Sequence, residues 1–261
     1  MKMKGKSESD ESLEKLRSSH TPEAIRTRLQ YGPRHTYLRD FVYGAIDGAV
    51  TTFAVASGVA GAKLSNGIVI ILGLANLIGD GFSMAVSNFL GTRAEQQLRE
   101  QARKEEEAHI KRIPEGEREE IRQIFAAKGF AGQDLERAVD IITSDPQRWI
   151  DTMLKEEIGM PPGGPSPEKA ALATFIAFLV VGSFPILSFL YQWLFPSMQF
   201  DPFFTSSIIT GLAFFAVGAL KGQFVGQPWY LAGLETFVVG GTAALLAYFT
   251  GVLLRGLAKA A

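Results

Sequence analysis

The sequence predicts an all-α polytopic membrane protein with five transmembrane helices and a helical insert between spans two and three. Two observations predict it. Charge is segregated: the stretches 41–91, 170–198, 203–220 and 231–254 hold almost no ionisable side chains, while the tail before Asp40 and the region 93–168 hold most of the Lys, Arg, Asp and Glu. Within the apolar stretches, five segments (about 41–62, 68–91, 170–195, 203–220 and 231–254) approach or exceed the roughly 20 residues a hydrocarbon core demands. The averages over 261 residues, 47% hydrophobic and 20% charged with net charge −1, would suit a soluble domain and conceal this alternation.

In chain order, residues 1–37 form a polar tail with room for a short amphipathic helix, and they lack the apolar centre of a cleaved signal peptide. Spans one and two occupy 38–92 and turn tightly at "KLSNG". In the insert, 93–168, the second span continues as helix until Pro114 interrupts it. A second helix runs from about Glu115 to Lys128 and stops at Gly129. "DLERAVDIITS" makes a third; Asp145 as N-cap with Pro146 at the first helical position opens a fourth, which ends at Gly159. "GMPPGGPSP" is a stiff return to the membrane, and 169–261 holds spans three to five. "PSMQFDP" separates the third and fourth, and Trp229 and Tyr230 are interfacial anchors before the fifth.

Basic residues close to the spans set orientation. Arg26, Arg28, Arg34 and Arg39 precede the first span and Arg93, Arg99 and Arg103 follow the second, against Lys63 alone in the first hairpin. The tail and the insert are therefore expected in the cytoplasm. Arg255 and Lys259 then fall on the far side, against the rule. Brief loops and the lack of a targeting signal favour a prokaryotic cell (inner) membrane over a vacuole.

The chain has no cysteine, which excludes disulfides and thiolate sites and leaves oxygen, thioether and the imidazoles of His20, His35 and His109 as metal donors. The mixed charge of the tail argues against nucleic-acid binding, and no Walker-type G-x-x-x-x-G-K-[ST] points to a nucleotide motor. Inside the membrane, Asn76, Asp80, Ser83, Met84 and Ser87 share one stripe of the second span, and Gly44, Asp47, Gly48 and Thr51 share one of the first. A mid-membrane carboxylate costs about 2.5–3.5 kcal/mol, so Asp47 and Asp80 need a partner, a hydrated path or a bound cation. Met84 alone reads as core filler, and its place one turn from Asp80 is what raises it as a ligand. Glu235, at the entry of the fifth span, reads equally as a solvated helix-end residue and as part of a path.

In the insert, Glu106 and His109 are three apart on one helix, as are Glu117 and Glu120 on the next, and the break at Pro114 allows the two faces to meet. Trp149, Met153 and Glu157 share a face farther on. Against a metal site stands the ordinary reading of acidic runs as solvated helix faces.

These residues resemble the vacuolar iron transporter family, which includes the yeast vacuolar iron and manganese carrier and plant nodulin-like proteins. The resemblance rests on "YGAIDGAVTTFAVASGVAGA", "ANLIGDGFSMAVSNFLGTRAE", the acidic helical insert, "ATFIAFLVVGSFPIL" and "GLETFVVGGTAALLAY", and covers the chain from about residue 38 onward. It implies a homodimeric five-span carrier that exports Fe²⁺, with Mn²⁺ and other divalent metals, from the cytosol in exchange for protons. It also implies no permanently bound cofactor, and partners limited to lipid, metal ions, protons and a second copy. Transport residues carry over to Asp47 and Met84, and the metal-binding residues of the cytoplasmic domain to Glu106, Glu117, Glu120, Met153 and Glu157. The chain departs from the better-known plant member at His109, where that member has glutamate, and at Leu154, where it has a second methionine. The imidazole keeps a ligand and removes a charge.

Two rival classes remain. "EEAHI" contains an E-x-x-H of the kind found in di-iron bundles, which suggests a membrane-anchored iron-oxidising or iron-storing protein. A structural or sensory protein whose insert recruits a partner would carry no metal flux.

Overall fold

A computed structural model of the protein describes residues 8–31, 36–160 and 163–260, and every regular element among them is an α-helix. His35 and Arg34, invoked above as a donor and as a flanking charge, lie outside the described residues. The chain divides into a unit of residues 1–36 and a unit of residues 37–261. The first holds α1 (Glu8–Ser19) and α2 (Pro22–Tyr31), two helices where one was expected.

In the second unit, α3 (Leu38–Ala62) ends where Lys63 turns left-handed at φ 58°, and α4 begins after Ser65. Helix α4 (Asn66–Arg112) runs 47 residues unbroken and carries the second span straight into the insert, as its continuous helical pattern predicts. The remaining membrane helices are α8 (Pro167–Gly182), α9 (Phe184–Leu194), α10 (Pro202–Val225) and α11 (Trp229–Ala260). Four helices are long and apolar enough to cross a membrane, and α8 and α9, bent by 48° at the break between them, bring the number to five where the pair is one span. The protein is thus a multi-pass membrane protein.

That bend corrects one expectation. The stretch 170–195 reads as a single helix, but Pro185 has no N–H to give the carbonyl one turn back, and the ladder breaks at Ser183. Ser183 recovers some of the loss by donating to the Val180 carbonyl at 2.7 Å, and Ser206 of α10 ties down the start of α9 by donating to the Pro185 carbonyl at 2.5 Å.

Helix α3 is the hub, packing on α4, α8, α9, α10 and α11. Its small residues make this possible. A Cβ on Gly44 would overlap the Thr174 carbonyl, and one on Gly48 would sit 2.6 Å from the Phe178 carbonyl. Gly44 and Gly48 therefore face α8 of the same chain and serve its close packing on α3. Ala45, Ala49, Phe53 and Ala56 complete a core with Phe178, Ile186, Phe189 and Phe214. Arg255, anomalous by the positive-charge rule, donates to the Gly61 carbonyl at 2.7 Å, where a cation offsets the negative end of α3.

The insert folds as α5 (Pro114–Ala127), α6 (Gly132–Thr143) and α7 (Pro146–Glu156) against the distal part of α4. Asp145 caps α7 as its sequence foretells, accepting from Gln147 N at 2.8 Å and Arg148 N at 3.2 Å. Arg122 holds Glu136 through two hydrogen bonds of 2.9 and 3.1 Å, joining α5 to α6. The returning chain is tied down by Gln96, which donates to the Pro165 carbonyl at 2.8 Å, and by the Tyr37 hydroxyl, which accepts from Ser166 N at 2.9 Å.

Candidate functional site

Two polar clusters hang on the same rod, α4. In the insert, the last turns of α4 supply Glu106 and His109, and the break at Pro114 swings α5 back so that Glu117 faces them. His109 Nδ1 lies 3.6 Å from Glu117 Oε1 and 4.0 Å from Glu106 Oε1, and one donor atom from each of the three falls within 4.8 Å of the others. Donors around an ion at about 2.1 Å lie about 3.0 to 4.2 Å apart, so small side-chain rotations would close this trio on a cation.

Burial makes the trio unusual for carboxylates. Glu106 is 5% exposed and Glu117 is 2% exposed, and the Oε2 atom of each is buried with no hydrogen-bond partner among the described residues. Leaving such oxygens unpaired is costly unless the group takes a proton or a cation. Burial, then the nearby charges of Glu120 and Glu106, push the Glu117 carboxyl up to about 7, with His109 pulling the other way. Burial followed by Glu157 raises Glu106, and burial followed by Glu120 raises Glu157. Four carboxyls from α4, α5 and the end of α7 thus share one field, with Glu120 and Glu157 on its exposed rim.

Met153 differs from its neighbours. It is 0% exposed and packs with Ile121, Val139 and Trp149 in the apolar core of the insert, while Leu154 joins Ala102 and Ile150. The donors that the structure groups are oxygen and imidazole, a set that suits Fe²⁺ or Mn²⁺ better than soft metals.

The second cluster lies between α3 and α4 in the membrane. Asn76 donates to Thr51 Oγ1 at 3.1 Å and to Thr52 Oγ1 at 3.2 Å; Asn88 donates to Asp40 Oδ1 at 2.9 Å and to Thr174 Oγ1 at 2.8 Å. These two amide clasps fix the antiparallel register. Asp47, between Asp40 and Thr51, accordingly faces the stretch of α4 between Asn76 and Asn88, which holds Asp80 and Met84. Asp47 and Asp80 are close enough for their charges to interact. Asp47 is half-buried, Met84 packs on the membrane core, and Asp80 is exposed along with Ser83 and Ser87. The break between α8 and α9 lies beside this site, since a Cβ on Gly182 would be 2.9 Å from the Gly48 carbonyl. Interrupted spans recur at the ion sites of transporters.

Glu235 of α11 pairs instead with Lys221, near the end of α10, which donates to it at 2.9 Å. Asp40, Asn88 and Thr174 were missed from sequence. The available signals were Asp40 seven residues before Asp47 and Asn88 four residues after Met84, each continuing a stripe already drawn.

With this geometry in view, comparison with known proteins is decisive. The model of the VIT family matches residues 38–252. The chain belongs to the VIT family. It is 31% identical over 256 residues to the vacuolar iron transporter of Toxoplasma gondii, covering 93% of this chain and 84% of that one. To vacuolar iron transporter 1 of Arabidopsis thaliana it is 30% identical over 214 residues, 81% of this chain and 83% of the relative. To vacuolar iron transporter 1 of Oryza sativa subsp. japonica it is 29% identical over 226 residues, covering 85% and 84%. Both clusters of this VIT-family chain fall inside the matched residues.

Proposed function

We propose that the protein exports Fe²⁺, and with it Mn²⁺ and other divalent metals, from the cytosol in exchange for protons, acting as a homodimeric secondary carrier. The observation that carries this reading is the trio Glu106, His109 and Glu117, whose buried unpaired oxygens await a proton or a cation at the end of the helix that also bears Asp80 and Met84. The names of the relatives, vacuolar iron transporters, agree with it. The 22 residues from Met84 to Glu106 correspond to about 33 Å along α4, so metal gathered at the insert is handed toward the membrane mouth along one helix. Carboxylates bind either protons or metal, and a cation entering between Asp47, Asp80 and Met84 displaces protons.

In this scheme the tail of residues 1–37 and the insert of residues 93–168 face the cytoplasm. Glu120 and Glu157 recruit metal at the rim, Met153 orders α7 beneath them, and Glu235 secures α10 to α11 through Lys221. A second copy covers the exposed stripe of α4, since Asp80 against lipid is expensive. The host membrane is a separate matter: the relatives named above are eukaryotic and called vacuolar, and they lend no support to a prokaryotic inner membrane. A di-iron reading is not favoured: the insert's own helices α5, α6 and α7 run only 14, 12 and 11 residues, short for a four-helix bundle, and that reading leaves Asp47, Asp80 and Met84 in the membrane unexplained.

The test is uptake of Fe²⁺ and Mn²⁺ by proteoliposomes with an acidic lumen. Wild type should load both metals, Asp47→Ala should reduce uptake to that of empty vesicles, and Glu117→Ala should slow uptake most at low metal. Equal uptake by empty and protein-containing vesicles would refute carriage.

A further inference from the structure

At the end of the bundle away from the insert, α3, α10 and α11 leave a partly open cavity of about 440 Å³, walled by Phe53 and Ser57 of α3, Phe203 and Phe214 of α10, and Gly241 and Tyr248 of α11. Its size is that of a small-molecule site. Its wall is aromatic: Phe53 stacks on Phe203 at 6.2 Å and meets Phe214 edge-on at 6.3 Å, and Phe203 stacks on Tyr248 at 6.2 Å. From Phe203 to Phe214 the lining runs about 16 Å along α10, close to half of a hydrocarbon core roughly 30 Å thick.

One polar atom inside it lacks a partner. Ser57 is 1% exposed and its hydroxyl is buried without a hydrogen bond among the described residues. The hydroxyls of Thr51, Thr236, Thr242 and Thr250 all bond the carbonyl one turn back, the ordinary solution in a membrane helix, and Ser57 does not. Ser57 stands five residues before the end of α3 at Ala62, about 7 Å along the axis. The interfacial zone of a bilayer is about 5–8 Å deep on each side, so with the end of α3 placed at its outer edge this hydroxyl falls near the level where acyl chains meet their ester carbonyls.

We infer that the cavity is a phospholipid site in the leaflet away from the insert, holding one acyl chain along the aromatic wall while the chain's ester carbonyl accepts a hydrogen bond from Ser57 Oγ. A second copy of the chain is the less suitable occupant. The face that needs a protein partner is the Asp80 stripe on α4, whose bundle partners are α3, α8 and α9 rather than the α10 and α11 that wall this cavity. The inference stands independently of the transport reading.

The test uses full-length protein in nanodiscs doped with a diacyl phosphatidylcholine carrying a mid-chain diazirine. Irradiation should label the 203–214 and 241–248 segments about tenfold more than the lipid-facing control Leu253, which a bound chain with an affinity advantage of that order requires. Gly241→Leu fills the cavity, because a Cβ there meets nothing within 4 Å, and should bring labelling down to the control. An ether-linked analogue, lacking the carbonyl, should label wild type about fivefold less than the diacyl lipid, and Ser57→Ala should erase that difference. Labelling of wild type no higher than at Leu253, or full labelling of Gly241→Leu, overturns the site. Equal labelling by ester and ether lipids in wild type overturns the Ser57 contact.

Discussion

Burial together with Glu120 and Glu106 holds the Glu117 carboxyl near pKa 7, against an ordinary 4.5. The folded chain therefore keeps this proton more tightly than the unfolded chain does. The resulting stability is fully present below pH 4.5 and is lost as pH climbs through about 7. Metal-free protein should accordingly melt at a lower temperature at pH 8 than at pH 5.5, and Glu117→Gln should flatten that slope. Because metal must displace the proton, Mn²⁺ should raise the melting temperature more at pH 8 than at pH 6. A metal-induced rise that is larger at the lower pH would contradict the assignment of Glu117 as a ligand. Much of this trio was legible in the sequence: three-residue spacing on either side of Pro114 places the donors on faces that a helix break can bring together. Met153 was less so, since a thioether at helical spacing from Trp149 is equally a core residue, and the core is where it packs. Asp40 and Asn88 were hidden because their meaning depends on the register of α3 against α4, which no single helix reveals. Asn88→Leu removes the hydrogen bond to Asp40 and should slow metal uptake several-fold while leaving Mn²⁺ binding by the insert unchanged in titration calorimetry.

At the level of elements, the close approach of α3 to α8 depends on Gly44 and Gly48, where the neighbouring atoms are backbone and cannot yield. Gly48→Val should cost about 1–3 kcal/mol, read as a lower unfolding temperature of the whole bundle. Asp145→Ala removes both capping bonds of α7 and should cost about 1 kcal/mol, confined to the insert. Caps, prolines and glycines made the ends of α5, α6 and α7 readable to within a few residues, because those signals are local. The break at Ser183 was not readable as such: Gly182 and Pro185 lie in a continuous apolar stretch, and whether proline kinks or breaks a helix is decided by groups such as the Ser183 hydroxyl that can re-satisfy the freed backbone.

For the whole molecule, the exposed polar stripe of Asp80, Ser83 and Ser87 along α4 is the face that lipid cannot cover cheaply. The protein has no cysteine, so single cysteines report cleanly on what meets this face. Ser83→Cys should cross-link between copies in the membrane, and Leu253→Cys, on the lipid side of α11, should not. The multi-pass architecture followed directly from charge segregation, while what meets the α4 stripe lay beyond it, since a stripe of polar residues looks the same whether it faces a partner or a path.

The exchange of protons for metal is tested most directly by following both at once in proteoliposomes with an acidic, dye-loaded lumen. Adding Fe²⁺ outside should bring metal inward and make the lumen more alkaline in step, and Asp47→Ala should abolish both changes. Metal entry without any change in lumenal pH, or unimpaired entry through Asp47→Ala, would contradict the account.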